Sequence, residues 1–363
     1  MKVAYISHAG RPCYELEWFS RLPVEELRII DVDFSKYPLA PDKRVTYCKV
    51  DSVELPFFHS TAHLVRYKNY RHYLDDVDVI VVLEAFSSLS SQFVTFCRRA
   101  KKPIVVLTYE LIAKHPVYKL PFFRSFTRNT FQHATKFIAV TGYAKQHLIQ
   151  LGVPEQRIEI VHPGIDCRLF SSDDRKKALG EGGVVFVGRL ERHKGIDVVL
   201  QTFHEVIKNH PGRSLTIIGD GSYRKAVEEL AQTEKNLLYL ARVDNDKIPE
   251  LLNQSSVFIM PARDTYRLGR KIGAEQFCFA IAEAMACGLK IVAFDCGAIK
   301  EVAGTSNYIC RQDRPGDLIG LVDVALDRKD LLLIQKNKST AKKLFDINKQ
   351  AIKFYEALEK LVP

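Results

Sequence analysis

Basic residues that could bind a diphosphate lie just after a predicted strand in the second half of the chain. Gly188 follows the apolar segment Val184–Val187, and Arg189 and Lys194 follow Gly188 before a helix that is predicted to begin near Gly195. An arginine can clamp two phosphate oxygens and a lysine adds a point charge, so the pair suits a diphosphate. A loop of solvated charges is the alternative interpretation.

Two glutamates flank the start of a later predicted helix. Glu275 lies in a loop, and Glu283 lies within an apolar helix that is predicted from Cys278 to Cys287 and ends at Gly288. An ionised carboxylate in such a helix needs a partner, and the vicinal hydroxyls of a ribose are suitable donors. The alternative is that Glu283 pairs with a nearby cation and Glu275 is solvated. The pair together favours the ligand interpretation.

Two glycine-containing turns also follow predicted strands. Gly219 and Gly221 surround Asp220, and Gly297 opens the segment that leads to Glu301. Glycine permits tight turns and the close approach of a ligand, although each of these turns is by itself an ordinary junction between a strand and a helix.

Short apolar segments alternate with helical segments along most of the chain, which predicts an α/β fold with doubly wound parallel sheets. The predicted strands are Lys2–Ser7, Leu27–Phe34, Val45–Val50, Asp78–Phe86, Pro103–Glu110, Lys136–Thr141, Ile158–His162, Val184–Gly188, Ser214–Gly219, Leu237–Val243, Val257–Pro261, Lys290–Phe294 and Tyr308–Cys310. Pro, Gly and charged residues predict a linker at 166–182 between domains 1–165 and 183–335, followed by a C-terminal helix at 336–363.

The composition excludes several classes of protein. The chain has 363 residues, of which 47% are hydrophobic and 26% charged, with a net charge of +10 that favours anionic partners. No apolar stretch is long enough to cross a bilayer, and no export signal is recognised, so we expect a cytoplasmic protein with reduced, mostly buried cysteines. It also lacks the P-loop and the dinucleotide-binding glycine motif.

These motifs together closely resemble the retaining glycosyltransferases of the GT-B fold, family four in the usual classification. The segments that carry the resemblance are Gly188-Arg-Leu-x3-Lys194-Gly195, Gly219-Asp-Gly, Pro261, Glu275-x7-Glu283 and Gly297-x3-Glu301. The resemblance is specific over residues 135–310. It implies two Rossmann-like domains that face each other across a cleft, the first binding the acceptor and the second the nucleotide sugar, with the C-terminal helix returning to the first domain.

The resemblance also implies roles for individual residues. Arg189 and Lys194 would stabilise the leaving diphosphate, Glu275 would hold hydroxyls of the transferred hexose, and Glu283 would hold the ribose. The other implied donor-binding residues are Gly10, Gly188, Arg242, Val243, Phe277, Cys278, Phe279 and Ala280. The donor would be a UDP- or GDP-sugar, and the family requires no metal or other cofactor.

The chain departs from the family pattern at several places, and two of them bear directly on the site. Cys278 stands where the family has glycine after the phenylalanine, which bears on the identity of the donor sugar. The family histidine of the first domain has no clear match, and Tyr109, Glu110 and His115 are the candidates to replace it.

Two segments of the first domain combine cations and aromatic residues without any acid: His59–Tyr73 and Leu111–Lys136. This combination suits an anionic membrane surface or a phosphate-bearing acceptor, although aromatic residues at helical spacing also pack into cores. We therefore expect a glycan or lipid-linked acceptor and peripheral docking at the inner face of a membrane. A nucleic-acid partner is not expected, since no reader motif is present. The alternative function is a catalytically silent GT-B protein that acts as a scaffold or nucleotide-sugar-binding partner.

Overall fold

The computed structural model describes residues 1–8, 15–35, 42–54, 64–112, 114–171, 182–207, 210 and 212–362. The chain divides into two compact units. The first unit contains residues 1–164 and 347–363, and the second contains residues 165–346. None of the helices in the described part of the chain has the length and hydropathy of a membrane-spanning helix.

The first unit is built on a seven-stranded sheet in the order β3-β2-β1-β6-β7-β8-β9, and all of its strand pairs are parallel. Its strands are β1 (Lys2–Ile6), β2 (Glu26–Asp31), β3 (Val45–Lys49), β6 (Val79–Leu83), β7 (Ile104–Thr108), β8 (Lys136–Ala139) and β9 (Ile158–Ile160). The order reverses between β1 and β6, and ligands of open α/β sheets bind beyond the carboxyl ends of strands at such a point. An antiparallel pair, β4 (Asp51–Glu54) and β5 (Val65–Lys68), lies outside this sheet.

Helices of the first unit pack against this sheet. The described α-helices are α1 (Leu16–Phe19), α2 (Ser88–Ala100), α3 (Pro121–His133), α4 (Gly142–Gln150) and the C-terminal helix α12 (Ile347–Glu359). Phe354 of α12 is fully buried and contacts the rings of Trp18 and Phe19 at centroid distances of 5.1 and 5.3 Å. Helix α12 therefore completes the core of the first unit.

The second unit contains a six-stranded parallel sheet in the order β12-β11-β10-β13-β16-β17. Its strands are β10 (Gly183–Val187), β11 (Leu215–Ile218), β12 (Leu237–Leu240), β13 (Ser255–Met260), β16 (Lys290–Phe294) and β17 (Tyr308–Cys310). Its described α-helices are α5 (Ile196–Glu205), α6 (Arg224–Thr233), α7 (Ile248–Asn253), α8 (Phe279–Ala286), α9 (Ile299–Ala303), α10 (Pro315–Asp327) and α11 (Leu331–Leu344). The central strands are buried on both faces, which explains their continuous apolar sequences.

A short antiparallel hairpin interrupts the second unit between β13 and α8. It consists of β14 (Thr265–Arg267) and β15 (Arg270–Gly273), and Leu268 and Gly269 at its tip both have positive φ. The Nζ atom of Lys271 lies 2.7 Å from a carboxylate oxygen of Asp264 at its base. The basic segment that contains Arg267, Arg270 and Lys271 therefore forms a hairpin.

The sequence-based strands are all present, and the α/β fold is confirmed. Strands β4, β5, β14 and β15 were not predicted, because short antiparallel pairs lack the continuous apolar signal of a buried parallel strand. The second unit extends to Asp346, so 336–346 belongs to it and not to the terminal segment. Much of the predicted linker, residues 172–181, lies outside the described residues, as do residues 59–63 and Cys13. The thiols of Cys48, Cys97, Cys278, Cys296 and Cys310 are free and buried or partly buried.

Candidate functional site

The loop after β10 is fixed by the close approach of backbone from neighbouring strands. The Leu190 N–H donates to the Asp220 carbonyl at 2.9 Å, and Gly219 has a φ of +144°. A Cβ built on Gly219 would collide with the carbonyl oxygen of Gly188. Glycine is therefore required at position 219 because the two loops pack backbone against backbone.

The same loop is fixed on its other side by the segment after β13. Gly195 has a φ of +78°, and a Cβ there would collide with the carbonyl oxygen of Pro261. The Arg263 N–H donates to the carbonyl of His193 at 2.8 Å. The short 3-10 helix Arg192–Lys194 is thus held at the carboxyl edge of the sheet, directly before α5.

Lys194 and Glu275 form an ion pair at this edge. The Lys194 Nζ lies 2.5 Å from Oε2 of Glu275, and the two side chains are only 17% and 14% exposed. Attraction between charges is stronger away from water, so this pair orients both groups. Glu275 is therefore not the solvated loop acid of the alternative interpretation.

Arg189 is exposed and lies beside His193, with its Nη2 atom 3.1 Å from the His193 Nε2. Burial lowers the pKa of His193 from its usual value, and the positive charges of Arg189 and Lys194 lower it further. His193 is therefore neutral at pH 7 and can accept a hydrogen bond from the guanidinium. Because His193 and Lys194 are neighbours in the chain, these two contacts place Arg189, His193, Lys194 and Glu275 in one connected series.

The loop that carries Glu275 is fixed by the turn after β16. Ala298 N–H donates to the Glu275 carbonyl at 2.8 Å, and a Cβ built on Gly297, whose φ is +56°, would collide with that oxygen. The glycine turns singled out in the sequence thus act in this structure as packing positions. They set the backbone that carries the candidate side chains.

Cys278 begins α8 in a conformation that favours glycine. Its φ is +66° and ψ is +75°, although the residue is only 7% exposed and burial raises the pKa of its thiol. A non-glycine residue in this region carries a conformational cost of about 1–3 kcal/mol. The glycine that the family resemblance implies at this position therefore has a physical reason, and here a cysteine takes its place.

The remaining donor-binding candidates of this part of the chain surround α8. Phe277 is buried against the rings of Phe279 and Phe345, and Phe279 and Ala280 are half-buried in the first turn. Glu283 is half-buried in the middle of α8. Glu283 therefore lies on the helix that follows the loop of Glu275.

Arg242 and Val243 lie beyond the end of the edge strand β12. Arg242 is exposed, whereas Val243 packs against the core of the second unit. Gly10, the candidate in the first unit, lies outside the described residues. The connected series lies elsewhere in the second unit, on the loop after β10 and on the segment that leads into α8.

A buried acid of the first unit, Glu84, was not among the residues predicted from the sequence. Glu84 directly follows β6 at the switch point, has a φ of +60° and is 7% exposed. Its Oε1 accepts the N–H groups of Tyr109 and Glu110 at 2.8 and 3.1 Å. Burial raises the pKa of Glu84 to about 8, and the charge of Glu110 adds to the shift. The sequence signal that could have indicated this residue is the position of a single acid directly after the apolar segment Val79–Leu83.

The three candidates for the family histidine differ in their surroundings. Tyr109 and Glu110 lie just after β7, and their backbone N–H groups donate to the carboxylate of Glu84. The Nδ1 of His115 instead accepts the Val117 N–H at 3.1 Å at the start of a short 3-10 helix. The Oε1 of Glu110 accepts the backbone N–H groups of Leu111 and Ile112, so Glu110 holds the loop after β7 in place.

Within the described ranges, no group of His, Cys, Asp and Glu side chains is arranged to hold a metal ion. The candidate site itself offers fixed cations, carboxylates and backbone N–H groups to a ligand.

Solved structures share this fold over nearly the whole chain. HepE of Anabaena in complex with UDP superposes with a TM-score of 0.76 at 16% identity and covers 99% of this chain and 100% of HepE. Sucrose-phosphate synthase of Thermosynechococcus elongatus superposes with a TM-score of 0.73 at 15% identity over 99% of this chain and 98% of its own. These neighbours establish the GT-B fold.

Two family models match consecutive parts of the chain. Glycosyl transferases group 1 matches residues 170–342, and Glycosyltransferase Family 4 matches residues 29–169. Together the two models cover residues 29–342, so the chain is a glycosyltransferase of the GT-B fold that is similar to family four, as the motifs of the second unit predict.

Curated relatives are distant and longer than the matched region. A phosphatidylinositol N-acetylglucosaminyltransferase subunit of Arabidopsis thaliana is 20% identical over 70% of this chain and 57% of its own length. The GDP-mannose-dependent phosphatidylinositol monomannoside mannosyltransferase of Mycolicibacterium smegmatis is 25% identical over 50% of each chain. The chain thus spans about half the length of these relatives.

Proposed function

We propose that the protein is a retaining glycosyltransferase that moves a hexose from a nucleotide-diphosphate sugar to a glycan or lipid-linked acceptor. The observation that carries the proposal is the fixed series formed by Arg189, His193, Lys194 and Glu275. Family membership supplies the reaction class, and the series supplies charges of the right sign at a sheet edge that binds ligands in this type of fold.

The diphosphate is assigned to Arg189 and Lys194. Cleavage of the glycosyl–phosphate bond places negative charge on the diphosphate, and cations held in position before the reaction stabilise that charge most effectively. Lys194 is fixed by Glu275, while Arg189 is exposed and able to reach a ligand. Neutral His193 leaves the positive charge of Arg189 undiminished.

The sugar and the ribose are assigned to the two glutamates. Glu275 has one oxygen on Lys194 at 2.5 Å, and its carboxylate can also accept hydroxyl groups of the hexose. Glu283 is assigned to the ribose hydroxyls, and the first N–H groups of α8 to sugar and phosphate oxygens. In this account the acceptor attacks from the side of the leaving group, whose phosphate oxygen takes the acceptor's proton, so the configuration is retained.

The donor nucleotide is proposed to be UDP or GDP. The UDP named for HepE supports the first, and the GDP-mannose dependence named for the mycobacterial relative supports the second. A screen of UDP- and GDP-sugars for transfer and hydrolysis tests the proposal, with the anomeric configuration of the product read by NMR. We expect turnover with one nucleotide class and a product of unchanged configuration. An inverted product would refute the retaining mechanism.

Arg189→Gln and Lys194→Met each remove one diphosphate cation. We expect each to slow transfer about 100-fold, the usual effect of losing one group that stabilises a developing anion. Arg224→Gln is the matched control, because Arg224 is an exposed cation of the same unit that pairs with Glu228. Wild-type turnover in both cation variants would overturn the assignment.

The alternative function, a silent scaffold, predicts a different outcome. It is supported by Cys278, which fills space in a position where the family has glycine. A scaffold would bind a nucleotide sugar without transferring or hydrolysing it in the same screen. Turnover that depends on Lys194 excludes this alternative.

A further inference from the structure

Basic and aromatic side chains from several elements of the first unit line one cavity of about 770 Å³. Arg66 comes from β5, Arg71 from the following 3-10 helix and Arg99 from the end of α2. Phe96 of α2 and Phe122 and Phe126 of α3 complete its apolar wall. We call this cavity the α2 groove. It brings together the two acid-free segments that the sequence analysis singled out.

The α2 groove has positive charge without a compensating acid. Among the residues that the structure describes, no Asp or Glu lines it, and neither α2 nor α3 contains one. Arg66, Arg71 and Arg99 are exposed, and within the described part of the chain none of them forms an ion pair or a side-chain hydrogen bond. Arginines that are not paired within the protein provide forked donors for phosphate oxygens.

The neutral polar side chains that α2 contributes to the groove already form hydrogen bonds within the protein. Gln92 accepts the Tyr67 N–H at 3.0 Å and donates to the Tyr67 carbonyl at 2.7 Å. The Asn129 side chain donates to Ser91 and Thr95 at 2.9–3.0 Å. These bonds hold α2 against β5 and α3, so the groove is a preformed feature whose arginines and phenyl rings are left to meet a ligand.

The apolar part of the groove extends to the surface. Phe122 is 62% exposed and Leu120, which precedes α3, is 47% exposed. Exposed large apolar residues next to unpaired cations match the two parts of a lipid, an anionic headgroup and an acyl chain. A free phosphate would use the arginines and leave the phenyl rings in water.

We propose that the α2 groove binds an anionic membrane lipid, with the headgroup phosphate on the arginines and the start of an acyl chain against Phe122 and Phe126. Helix α2 begins at Ser88, just beyond the carboxyl end of β6, and runs away from it to Ala100. The groove therefore extends along α2, and Arg99 lies near the end of the helix that is farther from the carboxyl edge of the sheet. The inference deepens the proposed function by naming a partner, and it is tested without any transfer reaction.

The test is co-sedimentation of the full-length chain with phosphatidylcholine vesicles that contain about 30% phosphatidylglycerol, at about 50 mM salt. We expect the triple variant Arg66→Gln, Arg71→Gln, Arg99→Gln to bind about 100-fold more weakly than the wild type, since each basic residue near an anionic surface contributes about fivefold. Phe122→Gln should weaken binding and should make the remaining binding more sensitive to salt.

The matched control is Arg168→Gln, Arg267→Gln, Arg270→Gln, which removes the same charge from exposed arginines of the second unit. We expect it to bind vesicles within about threefold of the wild type. An equal loss of vesicle binding in both triple variants would show only general charge attraction and would refute a lipid site in the α2 groove. So would saturation of the groove by inorganic phosphate or single-stranded RNA with no binding to vesicles. Binding of UDP in the same variants reports separately on the proposed function.

Discussion

Replacing Cys278 in parallel with glycine and with alanine isolates the conformational cost of the residue that begins α8. The backbone of Cys278 has a φ of +66°. An L-residue in the left-handed region costs about 1–2 kcal/mol, whereas glycine adopts it freely. Glycine also lowers the free energy of unfolding by about 0.4–1 kcal/mol relative to alanine, because it gives the unfolded chain more conformational freedom. We therefore expect the Cys278→Gly variant to be more stable than Cys278→Ala by about 1 kcal/mol.

The comparison of these two variants cancels the loss of the buried sulfur, because both lack it. A difference of about 1 kcal/mol corresponds to a Tm difference of about 2–4 °C in a unit of this size, which differential scanning calorimetry resolves. The control is Ala280→Gly in the first turn of the same helix, where glycine should lower the free energy of unfolding by about 0.5–1 kcal/mol. Equal or greater stability of Cys278→Ala would refute the backbone argument.

The remaining predictions concern the glycine turns, the buried acid and the candidate cations. Gly297→Ala should lower the free energy of unfolding by more than about 2 kcal/mol, and Gly304→Ala should lower it by about 1 kcal/mol. Both glycines have positive φ, but of the two only Gly297 faces a backbone oxygen. Equal losses of stability in the two variants, measured by calorimetry, would contradict this reasoning. Because burial raises the pKa of Glu84 to about 8, it contributes stability that is full below about pH 4.3 and is lost as pH rises through 8. Glu84→Gln should therefore flatten the decline in Tm between about pH 5 and 8, and an unchanged decline would exclude Glu84 as its source. Arg189→Gln should raise the pKa of His193, measured by NMR, but not to its usual value, since burial is the larger cause of the shift. An unchanged pKa of His193 would show that the Arg189 guanidinium does not lie beside this ring in solution.

The sequence predicts the parallel sheets well because their strands are buried on both faces. Segments such as Val79–Leu83 and Ile104–Thr108 are almost entirely apolar, and such segments are typical of parallel strands covered by helices. The hairpin of β14 and β15 could not be predicted in this way, since its exposed residues Tyr266 and Leu268 carry no burial pattern. Its turn depends on two residues with positive φ, of which only Gly269 gives a sequence signal.

The candidate site was predictable as a set of residues but not as a set of contacts. The order of Arg189, Lys194 and Glu275 along the chain indicates which strand ends carry chemistry. It does not indicate that Lys194 and Glu275 form an ion pair, because that contact joins loops from different strands. Nor does it reveal that His193 lies against Arg189.

Glu84 shows a second limit of pattern reasoning. Its sequence position falls inside the predicted strand Asp78–Phe86, whereas the strand ends at Leu83 and the chain turns at Glu84 with a φ of +60°. Strand ends are set by tertiary hydrogen bonds, here to Tyr109 and Glu110, which periodicity cannot detect. A buried acid at a strand end therefore became visible only with the fold.

The central claim, that Arg189 and Lys194 hold the donor's diphosphate, is tested most directly by comparing nucleoside and nucleotide affinities. Isothermal titration calorimetry would measure UDP against uridine, and GDP against guanosine, for the wild type and for the double variant Arg189→Gln, Lys194→Met. For the preferred nucleotide we expect the diphosphate to improve wild-type affinity at least about 100-fold, and the double variant to lose most of that ratio while its nucleoside affinity is retained. A ratio that is the same in both proteins would contradict the account.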